Sequence, residues 1–343
     1  MQATTVGLDI AKHVFQVHGT DAHGHPLIKR RLRRTDVHRF FAELPSCLVG
    51  LEACATAHYW ARELTALGHQ VRLMPPQYVR PFVKRNKNDA ADAEAICEAV
   101  TRPTMRFVPI KSAEQQSVLM LHRARDLLVR QQTMTVNALR AHLAEFGIIA
   151  AQGIQNMAKV IAIIADQADQ RIPDLAREAL RSLAAHYEQL KQQILAFEKK
   201  IMQWHRSNEM SRRLATIPGV GPITASALVA TIADPGHFAS ARHFAAWVGL
   251  VPRQYSTGGK ERLGAISKRG NPYLRRLLVI GAQSVLRWGL ARLAKASPWL
   301  RGLLARRPLN VVATALANKM ARIIWAMMTR NENYRTPAFV ATA

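Results

Sequence analysis

Between Leu180 and Trp204 an apolar residue recurs at intervals of 3, 4, 3, 4, 3, 4 and 3: Leu180, Leu183, Tyr187, Leu190, Ile194, Phe197, Ile201 and Trp204. Only an α-helix gathers such positions into one stripe, and a seam of more than three heptads must be covered by another helix. Val136, Leu139, Leu143 and Phe146 carry a shorter run of the same spacing. Pro173 separates the two stretches, and Asp174 after it suits a first helical turn. Two coverings satisfy the seam: an intramolecular helical hairpin, or a coiled coil with a second copy. Either makes residues 106–210 a helical spacer and dimerisation segment that sets the distance between two functional ends.

The N-terminal end, residues 1–105, reads as α/β. Thr4–Asp9, Val14–His18 and Pro26–Leu32 are short β-prone segments separated by turn-like residues such as Asp21–His25. Thr35 and Asp36 suit the start of a short helix running to Glu43. A strand at Cys47–Glu52, a helix with Trp60, Leu64 and Leu67 on one face, a strand at Val71–Met74 and a helix at Asp89–Ala99 complete the order β-β-β-α-β-α-β-α. That order predicts a mixed central sheet with helices packed on it.

Four acids stand out by position in that order. Asp9 follows the apolar run Val6-Gly7-Leu8, and Glu52 follows Leu48–Leu51, so both lie at strand ends. Asp89 and Asp92, three apart, share a helix face. Carboxylates converging from adjacent strand ends and a helix repel one another unless divalent cations sit among them. Such a cluster suits two-metal phosphoryl transfer, with two Mg²⁺ ions roughly 3.5–4 Å apart on the attacking and leaving oxygens. An all-oxygen donor set without Cys or His suits Mg²⁺.

The charge distribution points to a polyanion. The net charge is +25, and residues 206–343 carry 21 basic against 4 acidic side chains. Hydrophobic residues make up 49% of the chain, so this field sits on a folded molecule and not on a disordered basic tail. In the same third, Leu214–Ala225 reads as a helix, a hairpin through Gly219 and Gly221, and a second helix. Such an element either brings backbone N–H groups to a phosphate or serves as a tight structural turn. Next comes Gly249–Lys260, with Ser256 and Thr257 before Gly258-Gly259, and then Ala265–Asn271 with Ser267. These hydroxyls lie among Arg253, Lys260, Arg262, Lys268 and Arg269. The cations suit a phosphodiester, and a hydroxyl there suits a nucleophile, although a Ser-Thr-Gly-Gly stretch is commonly only a turn.

Gly7-Leu8-Asp9-Ile10-Ala11-Lys12, Gly50-Leu51-Glu52-Ala53 and Lys87-Asn88-Asp89-Ala90-Ala91-Asp92-Ala93 resemble the DEDD signature of a RuvC-like, RNase H-fold domain. Together with the 249–271 stretches, they are similar to the insertion-sequence-110 family of transposases, in its insertion-sequence-1111 branch. The Piv-type DNA invertases belong to the same family. The resemblance runs from Gly7 to about Leu278. It implies that Asp9, Glu52, Asp89 and Asp92 hold Mg²⁺ and that Lys12 lies near a phosphate. It further implies that a serine before a glycine, here Ser256, becomes linked to DNA, with Thr257 the alternative nucleophile and Ser267 a third. Residues 211–343 then form a mainly α C-terminal transposase domain with a helix-hairpin-helix-like element. The partners implied are donor and target DNA, a guide (bridge or seek) RNA encoded beside the gene, and further copies assembling as a dimer and then a tetramer. In that tetramer, carboxylates and serine meet across protomers.

Two other functions fit the same residues. One is a Mg²⁺-dependent nuclease resolving Holliday-type junctions with water as nucleophile. The other is a nucleic-acid-binding scaffold with a vestigial RNase H fold. The three cysteines, Cys47, Cys54 and Cys97, show no CxxC spacing and support neither a disulfide framework nor a zinc site. No signal-peptide pattern and no apolar run of about 20 residues is legible, so no membrane partner is expected. A bacterial cytoplasm, at the nucleoid when active, is the expected compartment.

Overall fold

The computed structural model describes residues 2–84, 88–288 and 297–335. It divides into two compact units, one of Met1–Gln116 with Thr231–His237 and one of Ser117–Ala230 with Phe238–Ala343. The helical middle and the last third thus fall in one unit.

The first unit is built on a five-stranded sheet in the order β3-β2-β1-β4-β5. β1 (Thr5–Ile10), β2 (Val14–Thr20) and β3 (Pro26–Arg33) form an antiparallel meander, and β4 (Leu48–Glu52) and β5 (Gln70–Met74) run parallel to β1. Alternation gives the sheet two different faces. Leu8, Phe15, Val17, Leu32, Val49 and Leu51 share one buried core with Val37, Phe41, Trp60 and Leu64. These last four lie on α1 (Val37–Ala42) and α2 (Ala57–Ala66). The opposite face is covered by α4 (Asp89–Val100), after a short α3 (Pro76–Val79) at the expected Pro75-Pro76 break. Neither Thr35 nor Asp36 caps α1. Asp36 is the boundary residue but makes no side-chain cap, because a 3₁₀ turn at Arg34–Asp36 already feeds the helix.

In the second unit the heptad seam is helical throughout, within α7 (Asp174–Ser207). Leu180, Ala184 and Tyr187 are buried in one cluster with Val136, Leu139 and Leu143 of α5 (Ala113–Ala144) and Met157, Val160 and Ile164 of α6 (Met157–Ala165). Arg125 on α5 pairs with Glu198 on α7 at 2.5 Å. This part of the seam is therefore covered inside the chain, as an antiparallel helical hairpin. The last third holds α8 (Glu209–Leu214), α9 (Pro222–Thr231), α10 (Ala241–Val248), a hairpin of β6 (Pro252–Gln254) and β7 (Leu263–Ile266), and α11 (Pro272–Trp288). Its closing helix, Leu309–Arg330, is long and apolar enough to cross a membrane by length and composition, contrary to the expectation that the chain holds no such run. Its Val312, Ala317, Met320, Ala321 and Ile324 are buried, and it packs against α10 and α11 as a core helix does.

Candidate active site

The acid-bearing face of the sheet begins with two glycines. A Cβ at Gly7 would stand 2.2 Å from the Ala93 carbonyl oxygen, and one at Gly50 would stand 2.8 Å from Val100 Cβ. Only hydrogen at these positions lets α4 lie directly on β1 and β4. Two residues beyond Gly7 on the same face is Asp9, and two beyond Gly50 is Glu52. Both lie one step past the last β1–β4 pair, Leu8 with Leu51. The helix seated on those glycines begins above Asp9. Asn88 caps it by accepting the Ala91 N–H at 2.8 Å, and Asp89 and Asp92 occupy its first turn. Their charges there are favoured by the helix macrodipole.

Asp9, Asp89 and Asp92 consequently each offer a carboxylate oxygen within 4.8 Å of the others. Asp9 and Asp92 are half-buried and Asp89 is exposed. Glu52 stands outside that tight group. It is nonetheless close enough to act on the same surroundings, since the charges of Glu52 and Asp9 reinforce burial in pushing the Cys54 thiol above its ordinary value. All three cysteines are free thiols. Three carboxylates this close repel unless a cation lies between them, and their all-oxygen donor set fits a hard divalent ion. Lys12 is exposed in the turn joining β1 and β2. Lys87 of the sequence motif lies outside the described residues.

The serine stretch belongs to the second unit and is a hairpin, where the sequence reads as loop. Its turn is Gly258-Gly259 with φ of 54° and 79°, the left-handed pair a two-residue hairpin turn requires. Thr257 and Lys260 close that turn through N–H···O bonds of 3.3 and 3.0 Å. Ser256 precedes them, exposed, and its hydroxyl accepts from Gln254 Nε2 at 2.9 Å. Lys260 is exposed in the same turn, whereas Lys268 and Arg269 are exposed at the root of the hairpin, where the Lys268 N–H bonds the Gly249 carbonyl. Arg253 is exposed too, but its guanidinium donates to the Ser267 carbonyl at 3.3 Å, so it braces the two strands.

The hairpin is anchored at its base. Gly270 lies so close to Trp247 that a Cβ would stand 1.7 Å from its carbonyl oxygen, and one on Gly249 would stand 2.1 Å from the Arg269 carbonyl oxygen. Arg275 donates to the Val248 and Arg269 carbonyls, each at 3.0 Å. Asn271 caps α11 by accepting from the Tyr273 and Leu274 N–H groups. Sequence reading missed Arg275 and Asn271, although Asn271-Pro272 is a helix-start signal. Below them His122 is fully buried and bridges Tyr273 Oη (3.0 Å) and Ser226 Oγ (3.1 Å), joining α5, α11 and α9. Burial, with the Arg125 charge second, lowers its pKa to about 4.

The stretch read as a helix-hairpin-helix runs locally as α8, a turn and α9. Its two glycines differ, however. Gly219 (φ 85°) is packed on α11, where a Cβ would meet the Gly281 carbonyl oxygen at 2.8 Å. Gly221 has open space around it. The structure thus uses Gly219 for helix packing and leaves only Gly221 facing space.

Family models match the chain over both of these regions. Residues 6–148 match a transposase model of the DEDD, IS110 type, and residues 211–297 match the Transposase IS116/IS110/IS902 family. A "Probable family 20 transposase" of Pseudomonas aeruginosa is 51% identical over 337 residues, 98% of this chain and 99% of that one. The "Transposase for insertion sequence element IS1111A" of Coxiella burnetii is 41% identical over 334 residues, 97% of this chain and 92% of its own. A shorter stretch of 76 residues is 37% identical to the "Pilin gene-inverting protein" of Moraxella bovis, covering 22% of this chain and 24% of that one. The fold and these matches define a DNA transposase, an enzyme of DNA cleavage and strand transfer. The chain belongs to the IS110/IS116/IS902 transposase family.

Proposed function

We propose that this transposase cuts and rejoins DNA through a covalent serine–DNA intermediate, with its aspartates holding Mg²⁺. The observation that carries the reading is the convergence of Asp9, Asp89 and Asp92 within 4.8 Å at the carboxyl end of β1, the central strand of a β3-β2-β1-β4-β5 sheet. That strand order supports an RNase H-like, RuvC-like catalytic domain in the first unit. Asp9, Asp89 and Asp92, with Glu52 beside them, would hold the ions. When bound, Mg²⁺ supplies Lewis-acid stabilisation of the charge developing on the phosphate oxygens.

Ser256 is the nucleophile in this reading, and Thr257 serves the turn, where its backbone is already committed to Lys260. The Ser256 Oγ–P bond forms as the P–O bond to the departing nucleotide breaks. The hydroxyl proton is given up to solvent. Reversal by the incoming strand end restores the serine, so rejoining conserves bond energy and needs no nucleotide cofactor. Exposed Lys260 would place a cation beside the phosphate, with Lys268 and Arg269 adding positive charge at the root of the hairpin. We further read the +17 of residues 206–343 as the footprint of DNA together with a guide RNA. Assembly as dimer and tetramer places serine and carboxylates on different protomers, with residues 106–210 as the spacer.

Incubation of the chain with Mg²⁺, co-purifying RNA and labelled DNA, followed by denaturation, tests the reading. A protein–DNA adduct abolished in Ser256→Ala and kept in Thr257→Ala is expected. Free 5′-phosphate ends with no adduct would make water the nucleophile and the chain a nuclease. Sequencing the co-purifying RNA tests the guide: a single species from beside the gene is expected, and a random transcript mixture contradicts it.

A further inference from the structure

The register of the meander places cations on the same sheet face as the catalytic acids. Asp9 pairs with Gln16, and Gln16 pairs with Arg31. Residues directly opposite in a ladder share a face. Arg31 therefore stands two strand spacings, about 10 Å, from Asp9 along one row. One row to one side, Gly7 pairs with His18 and His18 with Lys29; to the other side, Val14 pairs with Arg33. Lys29, Arg31 and Arg33 consequently form a line along the edge strand, parallel to β1, which carries Asp9.

The three cations differ from their neighbours in sequence. Arg30 lies on the opposite face, where its guanidinium stands 5.5 Å from the Phe40 ring centre, and Arg34 stands 5.5 and 5.4 Å from those of Phe15 and Trp60. Those two cations are spent on aromatic packing. Lys29 acts on His18 and on Glu94 of α4, so its charge is partly answered. Arg31 and Arg33 are exposed, and among the described residues neither is in an ion pair. The residues between them and β1 are Val14 and Gln16, both half-buried and uncharged. Nothing acidic on β2 or β3 screens the pair, and an edge strand with such cations resists pairing with another strand.

We propose that Arg31 and Arg33, with Lys29 behind them, hold the phosphate backbone of the DNA duplex flanking the bond cut at Asp9, Asp89 and Asp92. This rests on the carboxylates being the cutting centre. A backbone passing that centre meets three carboxylates, which repel it in the absence of metal, and the neighbouring row supplies the compensating charge on the same face. The contacts are to phosphates and read no sequence.

Salt dependence tests this on the full chain. Affinity for a labelled DNA duplex of about 40 base pairs and arbitrary sequence is measured in chelator across a salt series. Removing one cation from a phosphate lowers the slope of log K against log salt by about 0.9. Arg31→Gln/Arg33→Gln should lower it by about 1.8. Arg30→Gln, equal in charge and on the same strand but opposite face, should leave it unchanged. An unaltered slope in the double variant, or an equal per-residue decrease in Arg30→Gln, overturns the proposal. A change seen with an RNA hairpin and not with the duplex also overturns it, because the occupant would not be DNA. Wild-type cleavage in Mg²⁺ is scored separately. A chain that binds with the full slope but never cuts contradicts the cutting centre and leaves the slope result to decide the cation row.

Discussion

The carboxylate end of the first unit and the serine hairpin of the second are built on opposite plans. The acids are fixed from every side: buried strands beneath, a helix seated on Gly7 and Gly50, and a cap at Asn88. The hairpin is clamped only at its base, by Gly249, Gly270 and Arg275, while Ser256 to Lys260 at its tip are exposed. A metal centre needs its ligands held to a fraction of an ångström, which rigid elements supply. A nucleophile delivered to a phosphodiester needs a firm root and a reachable tip. On the proposed reading, the difference in plan answers the difference in task.

The largest expected effect is chemical. Asp9→Ala or Asp92→Ala should lower strand cleavage by about 10³-fold, the scale of losing a group that stabilises transition-state charge. Duplex affinity in chelator should hold within about twofold, because no cationic group is removed. An equal drop in binding would make the carboxylates structural and erase the contrast between the two sites.

Acid should then find the second unit through His122. Its folded pKa of about 4 lies below the ordinary imidazole value of 6.5. Between those values the unfolded chain takes up a proton that the folded chain refuses. Stability is therefore complete above about pH 6.5 and falls as the pH drops toward 4, by on the order of 3 kcal/mol. Urea melts across that range should show this, and His122→Gln should flatten the dependence. A wild-type stability that does not change between those values would contradict a neutral buried His122.

Two glycine substitutions sharpen the structural side. Gly7→Ala should cost about 1–3 kcal/mol by overpacking α4, and should lower cleavage although no ligand is touched. Gly259→Ala at the hairpin tip should cost only about 1 kcal/mol, from its left-handed φ, since nothing packs against it. Thermal melts of both check the order. A tip more sensitive than the sheet would reverse the comparison.

Much of the first unit was legible because burial there is periodic. Apolar runs ending in Asp9 and Glu52, and a three-residue spacing at Asp89 and Asp92, carried both the strands and the acids. The exclusion of Glu52 from the tight trio was not legible, because it depends on where α4 comes to rest. The seam from Leu180 marked its helix but not its partner, since a heptad pattern is silent on whether its cover comes from the same chain. The serine hairpin was hidden because β6 and β7 are short and almost wholly exposed, so neither alternates. Its one signal was the Gly258-Gly259 dipeptide. The role of Gly219 was ambiguous for a similar reason: a glycine that admits a phosphate and one that admits another helix look alike in sequence.

The central claim, that Ser256 carries the DNA, is tested most directly by mapping the adduct. Trypsin cleaves after Arg253 and Lys260, isolating Gln254–Lys260 from the peptide that holds Ser267. After reaction in Mg²⁺ and nuclease trimming, fragmentation of that peptide by mass spectrometry should place the nucleotide phosphate on Ser256. A phosphate found on Thr257, on Ser267 or on no peptide would contradict the account.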